Sequence, residues 1–169
     1  SFWFYPAIQS FDKVLQHDPQ CGMAYWGIAI MSIGNPFTWP PTPKAWKEGA
    51  SAVASAQRVG AGSERERDYI AALAAFFKDW ETTDYRPRLL AFEEAVAARY
   101  PPNTEAQILH ALVRNAGDAA TDKTFANQLR AANILEPLFR KYPDHPGVAH
   151  YLIHTYDYAQ LAEKGFPAA

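Results

Sequence analysis

Proline punctuation constrains this chain more than any other feature of its sequence. Pro19, Pro101 and Pro143 each follow a stretch in which apolar residues recur at three- and four-residue intervals. The gaps between them are 82 and 42 residues, and Gly60 and Gly62 fall near the midpoint of the longer one. A recurrence of about 41–42 residues built from helix signals is the mark of a helical array, in which each pair of helices buries its apolar face against the next.

Within each unit the apolar spacing is helical. Ala7, Phe11, Val14 and Leu15 mark one face of the opening helix, and Met23 to Ile33 is apolar nearly all round, which requires burial on most sides. Lys44 to Val59 carries Trp46, Ala50, Val53 and Ala54. Ser63 with Glu66 three residues on is a capping box, and Tyr69, Ile70, Leu73, Phe76 and Phe77 follow it. Asp84 can cap the next helix, with Pro87 in its first turn and Leu89, Phe92, Ala95 and Val96 on its face. Thr104 to Asn115, Thr121 to Tyr142 and Pro146 to Tyr156 complete the series, and a kink or break is expected before Pro137. The segment Asn35 to Pro41 is too rich in proline to continue a helix. No stretch alternates with period two between turn residues, so no strand is expected.

Composition narrows the function classes. The formal net charge of the 169 residues is -2, and Arg65, Arg67, Arg86 and Arg88 are interspersed with acids, so the basic stripe of a nucleic-acid binder is missing. Aromatic residues make up 14% of the chain, a surplus that must be buried or displayed to a partner. Cys21 is the only cysteine, which rules out an internal disulfide and weakly favours a reducing compartment. No apolar run approaches the roughly 20 residues that span a membrane. The chain opens on Ser1-Phe2-Trp3-Phe4-Tyr5 and is read as a piece of a longer protein, cytoplasmic, or periplasmic if a signal segment lies upstream. The aromatic head is expected to cover an absent helix or to support self-association.

The residues at the proline boundaries resemble the tetratricopeptide (TPR) pattern, a small residue, a large one four later, another apolar one three after that, and proline five further. Ala7, Phe11, Val14 and Pro19 fit it, as do Ala131, Leu135, Leu138 and Pro143, while Arg88, Phe92, Ala95 and Pro101 fit after a one-residue insertion. The blocks from Cys21 to Ala29 and from His145 to His154 also look like an uncharacterised bacterial family of TPR repeats. The period is longer than the roughly 34 residues of the ordinary motif. The resemblance implies an all-α solenoid of antiparallel helix pairs over residues 1–169, read as a single domain. It further implies a scaffold that holds a protein or peptide in its concave groove.

Carrying over the groove-facing register of a TPR hairpin gives Trp26, Ile30 and Ile33 from the first inner helix. The second contributes Ile70, Ala74 and Phe77, the third Ile108, Leu112 and Asn115, and the fourth His150, His154 and Asp157. Such a groove is apolar for most of its length and polar at one end, suited to an apolar peptide with a polar terminus. The same stripe, with Trp26, Ile70 and Phe77 in it, also describes ordinary core.

His150, His154 and Asp157 lie one and two turns apart on one helical face, the spacing of a divalent transition-metal site such as zinc. A metal-dependent enzyme on the helix starting near Pro146 is therefore the alternative to a cofactor-free scaffold. The zinc-protease motif needs Glu after its first His, and Tyr151 stands there. Polar contacts to a partner and structural hydrogen bonds are the other uses of these histidines. Phosphate loops, Cys-x-x-Cys pairs and serine-nucleophile elbows are missing.

Overall fold

Ser63 shows how local chemistry sets the helix boundaries. Its hydroxyl accepts from the Glu66 backbone N–H at 3.2 Å, and the Glu66 carboxylate accepts from the Ser63 N–H at 3.0 Å. These two bonds satisfy helix-end donors reciprocally and hold the Glu66 carboxyl below its ordinary range. Thr42 caps a helix in the same way, through Ala45, with Pro43 in the first turn.

The computed structural model describes residues 3–35, 40–116 and 123–169. Among them it is all helical: α1 (Phe4–His17), α2 (Gly22–Ser32), α3 (Pro43–Val59), α4 (Glu64–Phe77), α5 (Tyr85–Ala97), α6 (Thr104–Ala116), α7 (Ala126–Lys141) and α8 (Pro146–Tyr156). A 3-10 helix, Ala162–Ala168, follows. No strand occurs among the described residues. Most of the expected Pro-rich loop and the expected start of α7 at Thr121 lie outside the described residues. Helix α7 runs through Pro137 without interruption, so of the kink near Asn133 or Ile134 and the alternative of a break, the break does not occur.

The chain divides into two compact units, Ser1–Val96 and Ala97–Ala169, within the range read from sequence as one domain. In the first unit α1 packs on α2, α2 on α3 and α3 on α4, and α2 also reaches α4. Two of these contacts are ring-on-glycine. The Phe11 ring occupies the place where a side chain on Gly27 would lie, and the Phe77 ring does the same at Gly49. Trp46, Phe76 and Phe77 form a cluster with ring centroids 5.2–5.6 Å apart, and Phe92 joins through Phe76 at 6.0 Å. Burying a ring such as Phe76 stabilises the fold by roughly 1.5–3 kcal/mol.

Arg88 enters this cluster although sequence reading places it among scattered surface charges. Its guanidinium lies 4.5 Å above Trp46 and 5.6 Å from the Phe76 ring, and it is buried. It donates to the Phe76 carbonyl at 2.8 Å and to the Asp84 carbonyl at 3.3 Å. Phe76 lies in the last turn of α4, where carbonyls have no partner within the helix, and Arg88 supplies the missing donor. Burial pulls the Arg88 pKa down and the charges of Asp84 and Asp79 push it back up.

Not all pattern positions behave alike. Ala131 and Leu135 are fully buried, as the small-then-large pattern requires. Val14 is exposed, and no residue of α1 is fully buried, because α2 is the main helix packed against it. Ala54 and Ala95, expected on apolar faces, are also exposed.

In the second unit α6, α7 and α8 pack pairwise, and α8 also packs on the 3-10 helix. Ile108, Ala111, Ala131, Leu135, Val148, Leu152 and Tyr156 form the main part of the core. The alanines allow the helix axes to approach, and the larger side chains fill the space between.

Candidate functional site

Helix α8 begins at His145, whose ring does two jobs. Nδ1 accepts from the Val148 N–H at 3.4 Å, capping the helix, and Nε2 lies 3.0 Å from Oε1 of Glu105. With Nδ1 as acceptor, Nε2 carries the proton and donates it to the carboxylate. One imidazole thus caps α8 and ties it to the first turn of α6. Pro146 follows in the position where its missing N–H costs nothing.

Nearly three turns further the other end of α8 is tied as well. Thr155 Oγ1 donates to the Tyr151 carbonyl at 2.7 Å and accepts from Asn115 Nδ2 at 3.3 Å. Gln128 donates to the Tyr158 hydroxyl at 3.3 Å, and Tyr156 donates to Glu136 Oε1 at 2.6 Å. Asn115 Oδ1 and Gln128 Oε1 are buried and accept no hydrogen bond among the described residues.

Between these anchors α8 carries His150 and His154. Their spacing puts both rings on one side, and the ring centroids lie 4.6 Å apart at an interplanar angle of 67°. Both side chains are half-buried. Burial first, and the nearby His154 second, hold the His150 imidazole below the ordinary histidine range. Asp157 behaves differently. It stands at the end of α8, with its N–H 3.5 Å from the His154 carbonyl and its side chain exposed. No group of three His, Cys, Asp or Glu side chains among the described residues is placed to hold a metal ion. Of the three expected ligands, His150 and His154 have their rings in contact, and Asp157 is the exposed residue at the end of the helix.

The expected groove residues divide in the same manner. In the first unit Ile70 and Phe77 are each 4% exposed, and Ile33 is also buried. They belong to the core, and Phe77 is further enclosed by Trp46, Phe76 and Gly49. Trp26 and Ile30 stay half-exposed. Trp26 is oriented by its indole N–H, which donates to the Tyr69 carbonyl at 3.1 Å, and by an edge contact to the Tyr69 ring. In the second unit Ile108 and Asn115 are buried and Leu112 is half-exposed. At the chain start Trp3 and Tyr5 are 73% and 71% exposed, whereas Phe2 lies outside the described residues.

Sequence reading singled out neither the burial of Arg88 nor Gln128, and it placed Asn115 in a groove, whereas all three are buried. For Arg88 a signal existed, because it shares the face of Phe92 and Val96 at four-residue spacing. Asn115 likewise follows Ile108 and Leu112 on one face, and nothing comparable marks Gln128.

Compared with known proteins, the chain matches no family model, no curated protein and no solved structure. Among the described residues no helix is long and apolar enough to cross a membrane.

Proposed function

We propose that this chain is a TPR-like helical-repeat scaffold that holds a protein or peptide partner through its inner helices α2, α4, α6 and α8. The observation that carries the reading is the recurrence of helix starts. The inner helices begin at residues 22, 64, 104 and 146, at intervals of 42, 40 and 42. The outer helices begin at 4, 43, 85 and 126, at intervals of 39, 42 and 41. Contacts fit the same scheme within each unit, since α2 reaches α4 and α6 reaches α8 past the helix between them. A chain of stacked hairpins makes such neighbour and next-neighbour contacts.

The partner-facing part of the surface is smaller than the periodicity alone implies. In the first unit Trp26, Ile30 and Ala74 are the half-exposed apolar positions; in the second Leu112 is the apolar one, with His150 and His154 the polar ones. Ile70, Phe77 and Ile108 hold the helices that present them. Trp26 is suited to anchor a partner, because a half-buried indole with its N–H already satisfied offers a large rigid surface at small entropic cost.

The test is selection from a random peptide display library on the purified chain. Enriched peptides are expected to be apolar with one polar end, and to lose binding to Trp26→Ala and Leu112→Asp variants that keep their helicity. No enrichment, or equal binding by both variants, would remove the scaffold reading.

A further inference from the structure

We propose that His145 is a proton-sensitive joint, at which a second proton on the ring cancels the side-chain cap of α8 and leaves the tie to α6 in place.

The two bonds of the ring carry it. Nδ1 accepts from the Val148 N–H at 3.4 Å, and Nε2 lies 3.0 Å from Oε1 of Glu105. Only the neutral imidazole has a nitrogen that accepts. In the imidazolium both nitrogens bear hydrogen, and no rotation of the ring restores an acceptor. The contact to Glu105 needs only a donor at Nε2, which both forms possess, and with the added charge it becomes an ion pair. A proton therefore acts in opposite directions on the two bonds. It also puts positive charge at the positive end of the α8 dipole, whereas Glu105 stands in the first turn of α6, where a carboxylate is favoured. The Val148 N–H keeps the His145 carbonyl at 3.1 Å, so the first turn of α8 then rests on backbone bonds alone.

The other capped helices differ. Thr42, Ser63 and Asn103 accept from Ala45, Glu66 and Ala106 through oxygen atoms that no proton fills near neutral pH. Imidazole is the side chain whose acceptor is lost there. Around the joint α6 contributes Glu105, the end of α7 Arg140 and Lys141, the turn Tyr142 and Asp144, and α8 Tyr151. Glu105 is bonded to the ring, Arg140 pairs with Glu136, and the Tyr142 hydroxyl takes hydrogen bonds from Lys141 and Thr104. Asp144 is exposed beside His145 in the chain, and the half-buried Tyr151 stands further along α8.

The experiment is nitrogen-15 NMR of the whole native chain across a pH titration. In the neutral ring Nδ1 should show the shift of an unprotonated acceptor and Nε2 that of a protonated donor. As the ring takes its second proton, the Val148 amide signal should move with the same midpoint. Its exchange, corrected for the direct effect of pH, should quicken about twofold, the low end of the capping range. His145→Asn supplies a cap that cannot titrate and should hold both quantities constant. A neutral ring protonated on Nδ1, a Val148 amide that does not follow the ring, or one that responds equally in His145→Asn overturns the proposal. The first two readouts come from the native chain and decide the matter even if the variant fails to fold.

Discussion

In the first unit neighbouring helices are held by rings. Phe11 sits over Gly27, Phe77 over Gly49, and Trp46, Phe76 and Phe92 close the space between α3, α4 and α5. In the second unit the core is mainly aliphatic, with Tyr156 among its buried members, and directional polar pairs join the helices: His145 with Glu105, Asn115 with Thr155, Tyr156 with Glu136. Ring packing is strong and tolerant of angle. Hydrogen bonds contribute less each but fix one helix against the next in a single register. The half-buried histidines stand on the helix positioned by hydrogen bonds, whereas the half-exposed indole of Trp26 stands in the unit positioned by rings.

This contrast predicts a graded series of effects. The largest is expected in the first unit, where Phe76→Ala empties the centre of the cluster and should cost roughly 3–5 kcal/mol. Chemical denaturation measures it, and amide exchange should show the loss in α3 and α4. A cost below 1 kcal/mol would mean that the rings do not organise this unit.

Next comes Arg88→Met, which keeps much of the side-chain volume but leaves the Phe76 carbonyl without its charged donor. A loss of about 1.5–3 kcal/mol is expected from that hydrogen bond. Arg88→Lys should recover only part of it, because an ammonium cannot both stack flat on Trp46 and reach two carbonyls. Full recovery by lysine would show that charge alone matters.

In the second unit Tyr156→Phe removes a single hydroxyl, and a cost of about 1 kcal/mol is expected. It carries a pH signature too. Burial, and then the bond and charge of Glu136, raise the Tyr156 pKa well above its ordinary value. The folded state therefore keeps a proton that the unfolded chain gives up near pH 10, so stability is complete below that pH and falls as pH rises beyond it. Tyr151 is raised in the same direction, by burial and then by Glu105, and adds to the slope. Tyr156→Phe should flatten the alkaline decline, and an unchanged slope would refute the assignment.

The smallest effect is expected at His145, where Ala removes a long 3.4 Å cap worth about 0.5 kcal/mol, the low end of the capping range. Its value lies in register. Faster exchange in the first turn of α8 alone would show that the ring acts as a cap. Faster exchange in the first turn of α6 as well would show that the Glu105 bond ties the two helices.

Helix positions were the most legible part of the sequence, because caps and prolines act locally. Ser63 with Glu66, Pro43 after Thr42 and Pro146 after His145 each mark a boundary by chemistry within four residues. The exposure of the expected groove residues was legible only in part, since buried and half-exposed positions draw on the same apolar residues at the same spacing. Ile70 and Trp26 differ in exposure, yet nothing in the periodicity separates them. Arg88 was hidden for the opposite reason: a charged residue is taken as solvated until a cluster of rings is seen around it. Asp157 has the right spacing for a ligand and stands at the C-cap of α8, a helix end that spacing alone does not locate.

The ring-on-glycine contacts also bear on how the chain finds its fold. Helix pairs of similar length, repeated along one chain, offer many wrong neighbours while the chain is still collapsing. A flat glycine patch accepts the ring at that level, whereas any other side chain there would block it. Phe11 and Gly27, and likewise Phe77 and Gly49, thus act as matched keys that let each helix tell its own neighbour from a look-alike. A wrongly paired helix would lack that fit, so the two contacts favour the native neighbours over other pairings.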